Sequence, residues 1–146
     1  MTAIVEVTDL AKIFDVSAPW LNRVIDRKPR QFVHAVDGVS FSVMKGETLG
    51  LVGESGCGKS TLGRTLMRLE EPTAGRVSFE GRDLAHASSQ QLFGLRRDLQ
   101  MVFQDPYSSL NPRMTVGEIV REPLVVHRIG SKAEQLERVR SLFETV

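Results

Sequence analysis

An α/β fold of the phosphate-loop class is predicted by three features that stand next to one another in this sequence. Residues Gly53-Glu54-Ser55-Gly56-Cys57-Gly58-Lys59-Ser60-Thr61 fit the pattern G-x-x-x-x-G-K-[ST]. An apolar run, Glu47 to Val52, leads into the pattern and reads as a strand. Leu62, Leu66 and Leu69 then recur at helical spacing, so Lys59 to Glu70 reads as a helix. Strand, glycine-rich turn and helix are the context this motif requires.

The remaining elements follow in chain order. Ile4 to Val7 and Val39 to Val43 read as strands, the second with clean alternation that leaves one face solvated. Between them, Trp20 to Phe32 holds Arg23, Arg27, Lys28, Pro29 and Arg30, and reads as an inserted surface loop or short helix. Trp20 is a packing anchor or a partner contact within it. Glu71 to Gly75 stops the helix that follows the motif, Arg76 to Phe79 restarts a strand, and Glu80-Gly81 turns it. Ser88 with Gln91 forms a capping box for a helix to about residue 98. Leu99 to Phe103 reads as a short buried strand. A polar turn follows, and two further capping boxes, Thr115 with Glu118 and Ser131 with Glu134, open helices.

Size and charge bound the function. With 146 residues the chain fits one domain. Hydrophobic residues at 41% and charged residues at 25% are ordinary for a folded globular protein. Lys plus Arg number 19 against 18 for Asp plus Glu, so no global basic field argues for nucleic acid. Anion binding has to be local. The single cysteine, Cys57, excludes an internal disulfide and fits a reducing compartment. The N-terminal residues do not form a secretory signal, and no apolar run is long enough to span a bilayer. Membrane contact is therefore expected only through a partner.

The chemistry of the loop follows from its residue types. Gly53, Gly56 and Gly58 admit backbone angles closed to other residues, so the N–H groups around Glu54, Ser55 and Cys57 converge on an anion, and the helix start adds its positive dipole end. Lys59 is placed to reach the β- and γ-phosphates of a nucleotide, the Ser60 hydroxyl to ligand Mg²⁺, and Thr61 to donate to the α-phosphate. Cys57 is either a small loop residue or a thiol activated by the helix N-terminus. Guanine-nucleotide proteins are excluded, since neither N-K-x-D nor D-x-x-G occurs. His34, His86, His127 and the Arg96-Arg97 pair read as surface residues.

Three segments carry a resemblance over nearly the whole chain: GVSFSVMKGETLGLVGESGCGKSTLGRTL, EPTAGRVSFEGRDL and MVFQDPYSSLNPRMTVGEIVREPL. Together they resemble the ATP-binding subunits of oligopeptide and dipeptide ABC importers, the third segment pointing to the peptide and nickel branch. The resemblance implies an ABC nucleotide-binding domain, a RecA-like parallel core with an antiparallel β-layer, and binding of ATP with Mg²⁺. Residues 1–146 correspond to a partial domain holding the phosphate loop and Q-loop, while the signature motif, the Walker B strand and the switch histidine are absent. By the same resemblance Gln104 is the Q-loop glutamine, reaching Mg²⁺ and the attacking water. Phe14 matches the aromatic that stacks on adenine, an apolar contact with the core being the other reading. Asp105, Pro106, Tyr107 and Asn111 match a turn that abuts a membrane subunit.

The implied partners are transmembrane permease subunits, a second ABC ATPase and, indirectly, a substrate-binding protein, at the cytoplasmic face of a bacterial inner membrane. Hydrolysis in this class needs a carboxylate beside the attacking water, so these 146 residues alone are expected to bind ATP without turning it over. Nickel or opine cargo, or a catalytically inactive remnant, are the alternatives. A partial gene product is the simplest explanation of the sequence, and exposed apolar edges are expected to make it weakly folded or insoluble by itself.

Overall fold

The computed structural model describes residues 3–19, 27, 29–103, 105 and 110–146. The chain forms two compact units, Met1–Met101 and Val102–Val146.

The first unit is built on a four-stranded antiparallel sheet of order β2-β1-β3-β4. Its strands are β1 (Ala3–Asp15), β2 (Phe32–Met44), β3 (Ala74–Phe79) and β4 (Arg82–Asp83). Both long strands extend well past the segments expected from alternation, and their pairing continues to Asp15 opposite Phe32. The inserted segment therefore leaves and rejoins at the tip of a hairpin. Val16 N donates to Gln31 O at 3.0 Å, and Ser17 Oγ accepts from Gln31 N at 2.9 Å. Residues Trp20, Arg23 and Lys28 lie outside the described residues. At the β3–β4 turn, Glu80 and Gly81 both have positive φ, 48° and 75°. That is the geometry whose twist matches a tight hairpin.

Helix α1 (Lys59–Leu66) and helix α2 (Ser89–Leu95) belong to this unit. Leu62 of α1 and Leu95 of α2 join Val7, Leu10, Val36, Val77, Phe79 and Leu84 in the buried core. Burying each such side chain contributes about 1.5–3 kcal/mol. The helix after the phosphate loop ends at Leu66, earlier than its leucine spacing predicts, so Leu69 lies past its end and is exposed. Arg68, at φ 51°, redirects the chain there and donates from Nε to Leu84 O at 2.9 Å. Arg96 is not a free surface residue: it is half-buried and donates from Nη2 to Arg68 O at 3.4 Å.

Two expected strands are not strands in the structure. Residues 47–52 and 99–103 join no ladder among the described residues. A strand's amides must be met by a neighbouring strand, and among the described residues none pairs with these. In them Val52 is 94% exposed, and Val102, in the strand expected to be buried, is 96% exposed. On the inner side, Leu49 and Leu51 line a largely apolar cavity of about 550 Å³ with Val39, Phe41, Leu62, Leu66 and Leu99.

The second unit is a helical hairpin of α3 (Val116–Val126) and α4 (Lys132–Thr145). Each is opened by a reciprocal capping box, Thr115 with Glu118 and Ser131 with Glu134. Gln135, buried, donates from Nε2 to the carbonyls of Ile129 at 3.1 Å and Gly130 at 3.3 Å. Those bonds satisfy acceptors that the turn would otherwise leave unpaired. His127, expected at the surface, is half-buried at the end of α3, because the chain folds back there.

Candidate nucleotide-binding site

The glycine-rich segment forms a loop that runs into helix α1. Gly56 and Gly58 have φ 83° and 96°, the left-handed region in which only glycine is unstrained. Gly58 is the N-cap of α1 and has no side chain to receive the orphan amides of the first turn. The first turn holds no acidic residue. Its positive dipole end is uncompensated, which fits the phosphates of a nucleotide.

Close packing sets where that turn sits. A β-carbon on Gly58 would collide with the carbonyl oxygen of Ala35 in β2, and one on Gly53 would meet Cys57 Sγ at 2.7 Å. Gly58 is demanded by both its angle and the approach of backbone, whereas at Gly53 the constraint comes from the Cys57 side chain alone. Thr65 is fully buried, and its hydroxyl donates back one turn within α1 to Thr61 O at 2.8 Å.

Lys59 lies folded over its own loop. Its ammonium donates to Gly53 O at 2.7 Å and to Glu54 O at 2.5 Å, and lies 3.5 Å from Cys57 Sγ. The ammonium is thereby held over the loop by two backbone carbonyls. Ser60 is exposed and Thr61 half-buried on the first turn. Cys57 is exposed. Beside the loop a cavity of about 370 Å³ is lined by Cys57, Gly58 and Lys59 on one side and by His34, Ala35, Val36 and Asp37 of β2 on the other.

Mg²⁺ has no cage of its own among the described residues, where no three His, Cys, Asp or Glu side chains cluster to hold a metal. A hydroxyl such as that of Ser60 fits this ion only as one ligand beside phosphate oxygens and water, the coordination Mg²⁺ favours in nucleotide sites.

Phe14 sits near the end of β1, opposite Val33, and is half-buried. It is not among the residues lining the cavity beside the loop. Its ring carries Lys12 Nζ 4.7 Å from the centroid. Gln104, Pro106 and Tyr107 lie outside the described residues. Asp105 is exposed, and Asn111 shapes a turn by accepting from Arg113 N at 3.1 Å. The sequence reading missed Ala35 and Lys12. Ala35 acts through its backbone and leaves no side-chain signal, whereas Lys12 was visible as a same-face neighbour two residues before Phe14.

Among the described residues no helix is long and apolar enough to cross a membrane. Comparison with known proteins agrees with the loop. The family described as ABC transporter matches residues 36–146. The oligopeptide transport ATP-binding protein AppF of Bacillus subtilis is 46% identical over 144 residues, covering 98% of this chain and 42% of that protein. OppF of the same organism, also an oligopeptide transport ATP-binding protein, is 54% identical over 120 residues, covering 81% and 39%. The chain thus spans about two-fifths of the length of these relatives. Among solved structures, the ATP-binding cassette MJ0796 bound to ADP and Pi superposes with a TM-score of 0.73 at 24% identity, covering 94% of this chain and 54% of its own. CbiO1 from Clostridium perfringens superposes at 0.66 with 22% identity, covering 94% and 47%. These two likenesses establish the fold, that of an ATP-binding cassette. Because the family match begins in β2 and runs through the phosphate loop and both units to Val146, this chain belongs to the ABC transporter family.

Proposed function

We propose that this chain binds Mg-ATP through the loop Gly53–Thr61 and, within a protein of its relatives' length, serves as the ATPase that powers import of oligopeptides or dipeptides. One observation carries the reading: helix α1 opens at a left-handed glycine with no side-chain cap and no acid in its first turn, beneath the Lys59 ammonium. Lys59 moves from the carbonyls of Gly53 and Glu54 onto the β- and γ-phosphates. The open amides of the loop take the phosphate oxygens, Ser60 offers its hydroxyl to Mg²⁺, and Thr61 donates to the α-phosphate. Gln104 acts beside the metal and the attacking water, and Phe14 is the platform for adenine.

When bound, Mg²⁺ supplies charge neutralisation at the phosphates. The chain's own residues bind and orient. The peptide cargo is supported by the names of the relatives, which are oligopeptide transport ATP-binding proteins. The partners that follow are permease subunits, a second ABC ATPase and, indirectly, a substrate-binding protein, with the chain peripheral at the cytoplasmic face of the membrane. The reading of residues 1–146 as part of a nucleotide-binding domain is supported by relatives of which the chain spans about two-fifths.

Calorimetric titration with Mg-ATP tests the reading. Lys59→Ala is expected to weaken binding about tenfold to more than a hundredfold, the size of lost hydrogen bonds to a charged group. Unchanged affinity in that variant would sink it.

A further inference from the structure

The ammonium over Phe14 belongs to a clamp. Lys12 Nζ lies 4.7 Å from the ring centroid, donates to the carbonyl of Glu71 at 2.9 Å and pairs with the Glu70 carboxylate at 3.4 Å. The Lys12 side chain is only 13% exposed. A cation this far from water needs partners, and these three supply them. Thr73 doubles the tie: its N–H donates to Ala11 O at 2.8 Å, and its hydroxyl accepts from Ile13 N at 3.0 Å. The last residues of β1 are thus fastened to the segment that leaves helix α1, the same helix whose first turn forms the phosphate site.

We propose that Lys12 is a positioning residue for the base of the bound nucleotide, holding Phe14 as an electron-poor stacking platform at a fixed distance from helix α1. The proposal rests on the reading of Phe14 as the adenine platform given above. A cation on one face of an aromatic ring draws density away from the other. An electron-rich purine stacks more strongly on a ring so depleted. The tether to Glu70 and Glu71 adds rigidity, so less freedom is lost when the base arrives.

The test compares two probes on the chain: ATP, and inorganic triphosphate, which has the phosphates and no base. Lys12→Met is expected to weaken ATP about three- to tenfold, the size of one cation–π contact, while leaving triphosphate unchanged. Lys12→Gln, which keeps a donor for Glu71 but no charge, should behave the same way and remains informative if the methionine variant fails to fold. Lys12→Arg should restore wild-type preference. In the double variant with Phe14→Ala, the lysine change should cost nothing further. Equal losses for both probes, an unaltered ATP affinity, or additive losses in the double variant would each overturn the proposal. If Phe14→Ala itself leaves the preference for ATP over triphosphate intact, the platform reading has failed and the proposal falls with it. If Phe14→Ala lowers that preference and neither uncharged Lys12 variant does, only the proposal fails.

Discussion

The carbonyl oxygen of Ala35 occupies the place where a β-carbon on Gly58 would have to go. Strand β2 therefore presses its backbone against the first turn of helix α1, and the phosphate loop is set by the sheet as much as by its own glycines. Gly58→Ala meets two penalties, the left-handed angle of 96° and this backbone collision. It is expected to lose nucleotide binding and about 1–3 kcal/mol of stability. Gly56→Ala meets only the angle, since open space surrounds that position, and should cost less. Urea unfolding of the two variants, with ATP titration, checks the order.

Acid should loosen the second unit at its helix starts. The backbone N–H of Thr115, then its hydroxyl, holds the Glu118 carboxyl below its usual 4.5, and Ser131 does the same for Glu134. A carboxylate depressed in the folded state stabilises fully above its unfolded value and loses that stabilisation as pH falls through the folded one. Helicity of α3 and α4 is accordingly expected to fall below about pH 4.5, and Glu118→Gln together with Glu134→Gln should flatten that dependence. Circular dichroism across pH 2–6 reads it, with about this range bracketing the carboxylate titration.

Leu84 is 1% exposed and sits where the β3–β4 hairpin meets helix α1, its amide donating to Val77 O and its carbonyl receiving Arg68 Nε. Leu84→Ala is expected to destabilise the first unit by about 2–5 kcal/mol. Arg68→Met removes the tie to the carbonyl together with the exposed ion pair to Glu71 at 3.3 Å, and should cost about 1–3 kcal/mol. Thermal unfolding of both variants ranks them.

The exposed Cys57 thiol lies 3.5 Å from the Lys59 ammonium, inside the loop. Alkylation with iodoacetamide is expected to block ATP binding, and saturating ATP to slow the alkylation. Modification at the same rate with and without nucleotide would separate the thiol from the site.

Local chemistry made much of this fold legible. Ser88 with Gln91, Thr115 with Glu118 and Ser131 with Glu134 all form reciprocal capping boxes, because each needs only residues three apart. Glu80-Gly81 turns as read, and the phosphate loop precedes a helix as its pattern requires. The segments Glu47 to Val52 and Leu99 to Phe103 misled for the opposite reason. Their apolar runs speak for burial in a sheet, yet a strand exists only with a neighbour, and the described residues give them none. Contacts over long sequence separation were equally silent: Lys12 with Glu71, Arg68 with Leu84, and Ala35 against Gly58 leave no periodic trace.

Val52 and Val102 lie bare on segments that join no ladder among the described residues. A partner that bound this surface in the folded form alone would stabilise it in proportion to the logarithm of its concentration. The melting temperature would then become a property of the solution as well as of the sequence, and unfolding at two protein concentrations reads whether a second copy packs there.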